Sequence, residues 1–148
     1  FTLKEVSMSH INIAKLMIPR VFTEVLYEDD SVSKALTVMK KHGYTAIPVL
    51  AQKEQFVGCV SEGDFLKHFL NIGDIDLGLH KKFYVRDIVR KDFCPPVTID
   101  TDTQEIIAAI SNQNFVPVVD CRNMMCGILT RKAIIEYLYS HHLSEETK

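Results

Sequence analysis

The chain has 148 residues, of which 47% are hydrophobic and 24% are charged, enough apolar material for the core of one compact module. A net charge of -2 and a pI near 6.3 disfavour nucleic-acid binding, and no apolar run approaches the roughly 20 residues of a membrane-spanning helix. The start FTLKEVSMSH lacks the pattern of a signal peptide, so composition predicts a cytoplasmic protein.

The four cysteines are Cys59, Cys94, Cys121 and Cys126, and no two of them form a CxxC pair. Three lie inside or beside apolar, strand-like segments, where a reduced cysteine packs as a small hydrophobic side chain. We therefore expect reduced core thiols and no metal site.

In chain order, the first predicted element is a short amphipathic helix in INIAKLMI, followed by a short strand in VLYEDDS. Ser31 is a candidate cap for the next helix, where Val32, Ala35, Leu36 and Met39 recur at the i, i+3, i+4, i+7 spacing of one helix face. The apolar segment TAIPVL predicts a strand, AQKEQ a polar turn, and FVGCVSEGDFL a second strand that runs into a helix.

The second half of the chain repeats this order of elements. YVRDIVRK predicts a short helix, VTIDTD a strand, and a helix follows with Ile106, Ile107 and Ile110 on one face. NFVPVV, DCRNM and GILTRKAII then match the first half at one constant offset, which pairs Gly58 with Gly127.

Such self-similarity indicates an internal repeat, with copies at 12–70 and 84–140 and a polar, glycine-containing linker at 71–83. Each copy is too small to bury its own sheet face, so the two copies are expected to pack with an approximate two-fold axis. The predicted fold class is α/β, with short mixed sheets, in a single module. Pro48 and Pro117 lack a backbone donor, which predicts edge or ladder-end strands with backbone groups available to a ligand.

The segment GCVSEGD carries the first candidate site. Ser61 would stand at or near the helix N-cap, where free amides favour an anion, and Asp64 follows one turn later on the same side. A carboxylate there can accept hydrogen bonds from the vicinal hydroxyls of a ribose, and GYTAIP could supply a slot for a purine. Taken alone, Asp64 is equally explained as an acid in the first turn of a helix.

The segments TAIPVL, FVGCVSEGD, FVPVVD and CGILTRK, in this order and spacing, resemble a tandem cystathionine β-synthase (CBS) domain pair, or Bateman module. The resemblance extends from about Asn12 to Tyr139. It implies a regulatory adenine-nucleotide sensor, dimeric and not catalytic, in which Ser61 and Asp64 hold ribose and phosphate. Together with the residues argued from the sequence itself, the predicted ligand-binding residues are Val21, Thr23, Glu24, Tyr44, Thr45, Ala46, Ile47, Pro48, Ser61, Asp64, Asn114, Phe115, Val116, Pro117, Thr130, Arg131 and Lys132.

The second copy departs from this pattern at Ala133, which stands where the first copy has Asp64. A methyl group accepts no hydrogen bond, so a nucleotide there would lose bonds worth about 1.5 to 3 kcal/mol each. Arg131 and Lys132 beside Thr130 could instead contribute positive charge to the phosphates of a ligand held by the first copy, although such pairs are also common on solvated surfaces.

Three functions remain open. A sensor of AMP, ADP or ATP is placed first because Asp64 is kept, and the GILTRK ending also resembles receptors of cyclic di-AMP. A ligand-free dimerisation or scaffold module is the alternative of another class, and an enzyme is least supported because no catalytic motif is present. No cofactor is required. A regulated partner protein and a homodimer through the helices of both repeats are expected, the dimer through Phe65, Phe69, Ile134, Leu138 and Tyr139.

Overall fold

The computed structural model describes residues 11–43, 45–73 and 82–146, with side chains described as far as residue 140. The helices and strands are α1 (Ile13–Leu16), β1 (Ile18–Pro19), β2 (Leu26–Tyr27), α2 (Val32–His42), β3 (Ala46–Leu50), β4 (Phe56–Ser61), α3 (Glu62–Ile72), α4 (Thr103–Ser111), β5 (Phe115–Val119), β6 (Met125–Thr130) and α5 (Arg131–Glu146). Short 3₁₀ turns occur at Arg20–Phe22 and Val85–Asp87. This is the mixed α/β composition expected from the sequence. None of the helices in the described ranges is long and apolar enough to cross a membrane.

The chain divides into two compact units. Unit 1 takes its described residues from Phe1–Thr23, Pro95–Arg122 and Cys126–Lys148, and unit 2 takes them from Glu24–Cys94 and Asn123–Met125. Each unit thus joins the opening residues of one predicted repeat to most of the other repeat. The repeat boundaries and their two-fold packing stay predictions, and most of the predicted linker, residues 74–81, lies outside the described residues.

Unit 2 contains a sheet of three strands in the order β2-β3-β4, with β2 parallel and β4 antiparallel to β3. The Ser31 hydroxyl accepts a hydrogen bond from the Lys34 amide at 3.1 Å, as a helix cap does, and α2 ends at Gly43 with φ of 66°. The predicted apolar face of α2 is confirmed, because Val32, Ala35 and Met39 are all buried.

Unit 1 contains a second sheet in the order β1-β6-β5, in which Ile18 of β1 pairs antiparallel with Ile128 of β6. Its core contains the predicted face of α4, with Ile106 and Ile110 buried. The strand predicted in VTIDTD is reduced to one parallel bridge between Val97 and Val118.

The two cores repeat the sequence offset that pairs Gly58 with Gly127. Two of the core pairs matched in this way are Val49 with Val118 and Val60 with Leu129. The duplication therefore specifies the same sheet-to-helix packing twice, in separate units.

Of the two positions expected for the proline strands, an edge or the end of a ladder, the edge is wrong for β3, which is the central strand of its sheet. Pro48 is opposite Cys59, whose backbone N–H and C=O both bond to Arg90, each at 3.1 Å. Pro48 therefore faces β4 at a position that needs no donor, and β2 begins its pairing only at Val49. Proline can occupy this central strand because β2 is too short to pair with it.

Two other expectations are corrected by burial. Cys59 and Cys94 are buried, but Cys121 is exposed and so is not a core thiol. Phe65 and Ile134, expected at a dimer surface, lie in the two cores with 3% and 1% exposure. The residues that follow them, Leu66 and Ile135, are exposed apolar side chains of the same helices.

Candidate functional site

Unit 2 brings the end of β4, the start of α3 and the residue before β3 together. Ser61 is the last residue of β4 and the N-cap of α3, and it pairs with Ala46 of β3. The carbonyl of Thr45 accepts a hydrogen bond from the Glu62 amide at 3.0 Å. The first amide of α3 is therefore used within the fold, whereas the sequence had suggested that it would be available to an anion.

Asp64 lies against this helix start and is almost fully engaged. Its Oδ2 accepts hydrogen bonds from the Ser61 amide at 2.8 Å and from the Ser61 hydroxyl at 3.0 Å. Its Oδ1 lies 2.9 Å from Nε of Arg90, a residue that the sequence analysis did not identify. Because a carboxylate offers about four acceptor positions, one remains, which is too few for the two hydroxyls of a ribose.

The exposed charge of this cluster is consequently positive. The Arg90 side chain is 45% exposed, whereas that of Asp64 is 10% exposed. Nη2 of Arg90 is 3.3 Å from the Ser61 hydroxyl, and its Cζ lies 3.9 Å from the centre of the Phe93 ring. A guanidinium that is held on one edge and on one face is suited to an anion.

Unit 1 builds the corresponding helix start differently. The Thr130 hydroxyl accepts from the Ala133 amide at 3.1 Å, and the Arg131 amide donates to the Asn114 carbonyl at 2.8 Å. The Arg131 guanidinium donates to the carbonyls of Ile110 at 2.9 Å and Ser111 at 3.3 Å, at the C-terminal end of α4. Its charge thus satisfies a helix end, which explains a cation at this position without a ligand. Lys132 is exposed.

The other predicted residues fall into exposed and buried sets. Thr45 and Asn114 are exposed and Ala46 and Phe115 are half-buried, whereas Ile47, Pro48, Val116 and Pro117 are buried. Tyr44 lies outside the described residues.

The segment before β2 is divided between the units. Val21 and Phe22, both within the range expected along one side of the base, are 79% and 78% exposed in unit 1. Thr23 is buried, and its hydroxyl donates to the Pro19 carbonyl at 2.9 Å. Glu24 belongs to unit 2, where its carboxylate lies 3.6 Å from His42.

Unit 2 also has an apolar groove of about 290 Å³ between α2 and α3. It is lined mainly by Leu36, Met39, Phe65, Leu66 and Phe69, so it differs in character from the polar cluster. Among the described residues, no group of three or more His, Cys, Asp or Glu side chains is arranged to hold a metal ion.

The family model of the CBS domain matches the chain twice, at residues 13–71 and 85–140. The carnitine transport ATP-binding protein OpuCA of Listeria monocytogenes is 30% identical over 113 residues, which is 75% of this chain. The chain spans about a quarter, 26%, of the length of that relative.

Two further proteins match over most of their own length. Cyclic di-AMP receptor B of Bacillus subtilis is 25% identical over 112 residues, which is 76% of each chain. The structure of CbpB of Listeria monocytogenes in complex with c-di-AMP superposes with a TM-score of 0.79 at 25% identity, and the match covers 90% of this chain and 99% of that one.

Proposed function

Because the chain belongs to the CBS domain family, we propose that it is a regulatory module that binds an adenine nucleotide and signals its presence to a partner protein. The polar cluster of Ser61, Asp64 and Arg90 in unit 2 supports a binding role, since its exposed group is a cation held in place by hydrogen bonds. The role is regulatory and not catalytic, and a cytoplasmic location remains a prediction from composition.

Cyclic di-AMP is the ligand that the geometry supports best. The observation that supports this best is that the Asp64 carboxylate is already bonded to Ser61 and Arg90, while the equivalent residue of unit 1 is Ala133. Neither helix start has a carboxylate available to bind the vicinal hydroxyls of AMP, ADP or ATP. A cyclic dinucleotide has no vicinal diol, because each 3′ oxygen lies in a phosphodiester, and its two phosphates suit an arginine. The similarity to cyclic di-AMP receptor B and to CbpB is in agreement.

AMP, ADP or ATP is the second candidate, and it is favoured by the presence of Asp64. The sequence alone put these mononucleotides first for that reason. In this case the Arg90 guanidinium would leave Oδ1 of Asp64, now 2.9 Å from Nε, so that the carboxylate could accept the ribose hydroxyls. The two candidates therefore differ in whether the ion pair of Asp64 with Arg90 remains intact when the ligand is bound.

Thermal unfolding of the purified chain with c-di-AMP, AMP, ADP and ATP tests the proposal, with cyclic di-GMP as the matched control for the base. A ligand that binds only the folded state stabilises it by RT ln(1 + [L]/Kd), about 2.7 kcal/mol at one hundred times Kd. We expect the largest rise in midpoint with c-di-AMP and none with cyclic di-GMP. A larger rise with a mononucleotide would select the second candidate. No rise with any of them would contradict nucleotide sensing and favour a ligand-free scaffold.

A homodimer through the helices of both repeats is also proposed. The exposed apolar residues Leu66 and Leu70 of α3 recur at the same repeat positions as Ile135 and Tyr139 of α5, with exposures from 58% to 72%. Leu66 also lines the apolar groove of unit 2. Large exposed apolar side chains that repeat in this way are typical of contact surfaces.

Light scattering coupled to size-exclusion chromatography tests the dimer. We expect Leu66→Glu with Leu70→Glu to elute as a monomer, whereas Lys67→Glu, an exposed position on the same helix, should leave the dimer intact. A monomeric wild-type chain at tens of micromolar would contradict this proposal.

A further inference from the structure

Arg90 is fixed in unit 2 at the level of its backbone. Its N–H and C=O form two hydrogen bonds with Cys59 of β4, each at 3.1 Å. The approach is so close that a Cβ at Gly58 would lie 2.3 Å from the Arg90 carbonyl oxygen. A glycine at this position of β4 is therefore what allows the segment of Arg90 to lie against the sheet.

The Arg90 side chain is held from two directions. Its Nε lies 2.9 Å from Oδ1 of Asp64 and its Nη2 lies 3.3 Å from the Ser61 hydroxyl, while the Phe93 ring covers one face of the guanidinium. In the part of the chain that the structure describes, no acceptor bonds the remaining nitrogen, Nη1. A guanidinium with a satisfied inner edge and an open outer nitrogen is preorganised for phosphate.

We propose that Arg90 is the phosphate-binding residue of unit 2 and that Asp64 is a positioning residue that holds its guanidinium, so that Asp64 does not itself bind the ligand. This inference rests on the proposed function, because it names the group of the nucleotide that the cluster recognises.

The internal repeat provides a comparison within the same chain. Ile18 pairs with Ile128 in unit 1 as Arg90 pairs with Cys59 in unit 2, and Ile128 stands at the same repeat position as Cys59. Ile18 is therefore the counterpart of Arg90, and Ala133 is the counterpart of Asp64. Unit 1 lacks both members of the pair, as expected if the acid serves the arginine.

Isothermal titration of c-di-AMP, AMP, adenosine and pyrophosphate into a small set of variants tests the inference. Losing a charge-assisted contact in Arg90→Ala should weaken c-di-AMP binding about 10- to 100-fold. Adenosine binding should be unchanged, because adenosine carries no phosphate. Asp64→Asn should weaken c-di-AMP by a smaller factor, and Arg90→Lys should recover part of the affinity because the positive charge remains.

Arg86→Ala is the matched control, since Arg86 is an exposed arginine of unit 2 that pairs with another carboxylate, Asp29. It should bind every ligand as the wild type does. Far-UV circular dichroism and the urea midpoint of each variant report folding. Arg90→Gln replaces Arg90→Ala should the alanine variant fail to fold, because glutamine keeps part of the side-chain stem without the charge.

If Asp64 instead binds ribose, Arg90→Ala will keep or strengthen AMP binding, and Asp64→Asn will weaken AMP and adenosine equally. That result overturns the inference, as does unchanged c-di-AMP binding in Arg90→Ala. If the wild type binds pyrophosphate through Arg90 but no nucleotide, the proposed function fails and the phosphate role of Arg90 stands. If the wild type binds neither, both are overturned.

Discussion

Adding one methyl group at Gly58 should destabilise the chain, because the Arg90 backbone leaves no space for it. A Cβ at Gly58 would lie 2.3 Å from the Arg90 carbonyl oxygen and 2.9 Å from its carbonyl carbon. Ordinary contact begins at about 3.4 Å, so the Arg90 segment would have to move by roughly 1 Å. A shift of that size stretches both hydrogen bonds between Arg90 and Cys59, now 3.1 Å long.

The size of the effect follows from those two bonds. At about 0.5 to 1.5 kcal/mol each, their loss lowers the free energy of unfolding by about 1 to 3 kcal/mol. For a chain of this length, the thermal midpoint should then fall by roughly 2 to 12 °C. Because the segment also carries the Arg90 side chain, Gly58→Ala should weaken c-di-AMP binding as well.

Urea unfolding followed by circular dichroism measures the change, with two matched variants. Gly127→Ala should be destabilised to a similar extent, since its Cβ would lie 2.2 Å from the Ile18 carbonyl oxygen, but should keep its phosphate-dependent binding. Gly63→Ala in α3 meets only the Ser61 hydroxyl at 3.6 Å and should be as stable as the wild type, or more stable by up to about 1 kcal/mol. A Gly58→Ala chain with wild-type stability would refute the close approach of Arg90.

Three other changes test the assignments of single residues. Arg131→Ala should lower the free energy of unfolding in urea by about 1 to 2 kcal/mol, because its hydrogen bonds to the end of α4 are lost. Its nucleotide affinity, measured by calorimetry, should be unchanged. Lost affinity at unchanged stability would instead support Arg131 as a phosphate-binding residue. Ala133→Asp should raise AMP affinity at least about tenfold in the same assay and leave c-di-AMP affinity unchanged, because the new carboxylate meets no arginine. Iodoacetamide should modify the exposed Cys121 first, and Cys59 only on unfolding, as followed by mass spectrometry. The reason is that a hydrogen bond with Cys94, together with burial, raises the pKa of the Cys59 thiol. Early modification of Cys59 would contradict that burial.

The part of the fold that could be predicted is the part encoded by local pattern. The apolar face of α2, the cap at Ser31, and the duplicated strand and helix segments follow from spacing within one repeat. The core pairs related by the repeat offset could be read in the same way. These features depend on neighbours a few residues apart, which is the range over which a periodic pattern carries information.

The choice of partner strand could not be predicted. β1 has two residues and the Arg90 segment forms only a bridge, so neither is long enough to show a strand period. Nothing local indicates that each segment pairs with the sheet of the other repeat. The central position of β3 was also missed, because proline lacks a backbone donor but can still occupy a central strand where no donor is needed.

This strand pairing is also why the sequence alone could not place Arg90 beside Asp64. Ser61 and Asp64 are close neighbours in the chain and read as a local motif, whereas Arg90 is distant from both and follows the predicted linker. Judged from its own helix, Asp64 offers a free carboxylate to a ribose. Once the backbone of Arg90 lies against β4, the same carboxylate is enclosed and the outward charge changes sign.

The two units differ in both members of this pair. Asp64 changes to Ala133 in the second copy, and its structural neighbour Arg90 corresponds to Ile18 in the first part of the chain. If the acid served only the ligand, the residue opposite it would have no reason to differ in charge along with it. Loss of the acid alone would leave an arginine without its anchor, and loss of the arginine alone would leave a nearly buried carboxylate without a cation, at an energetic cost. Unit 2 has both the acid and the arginine, and unit 1 has neither. This is the pattern expected if the two residues act together as proposed, with the carboxylate orienting the guanidinium and the guanidinium binding the ligand.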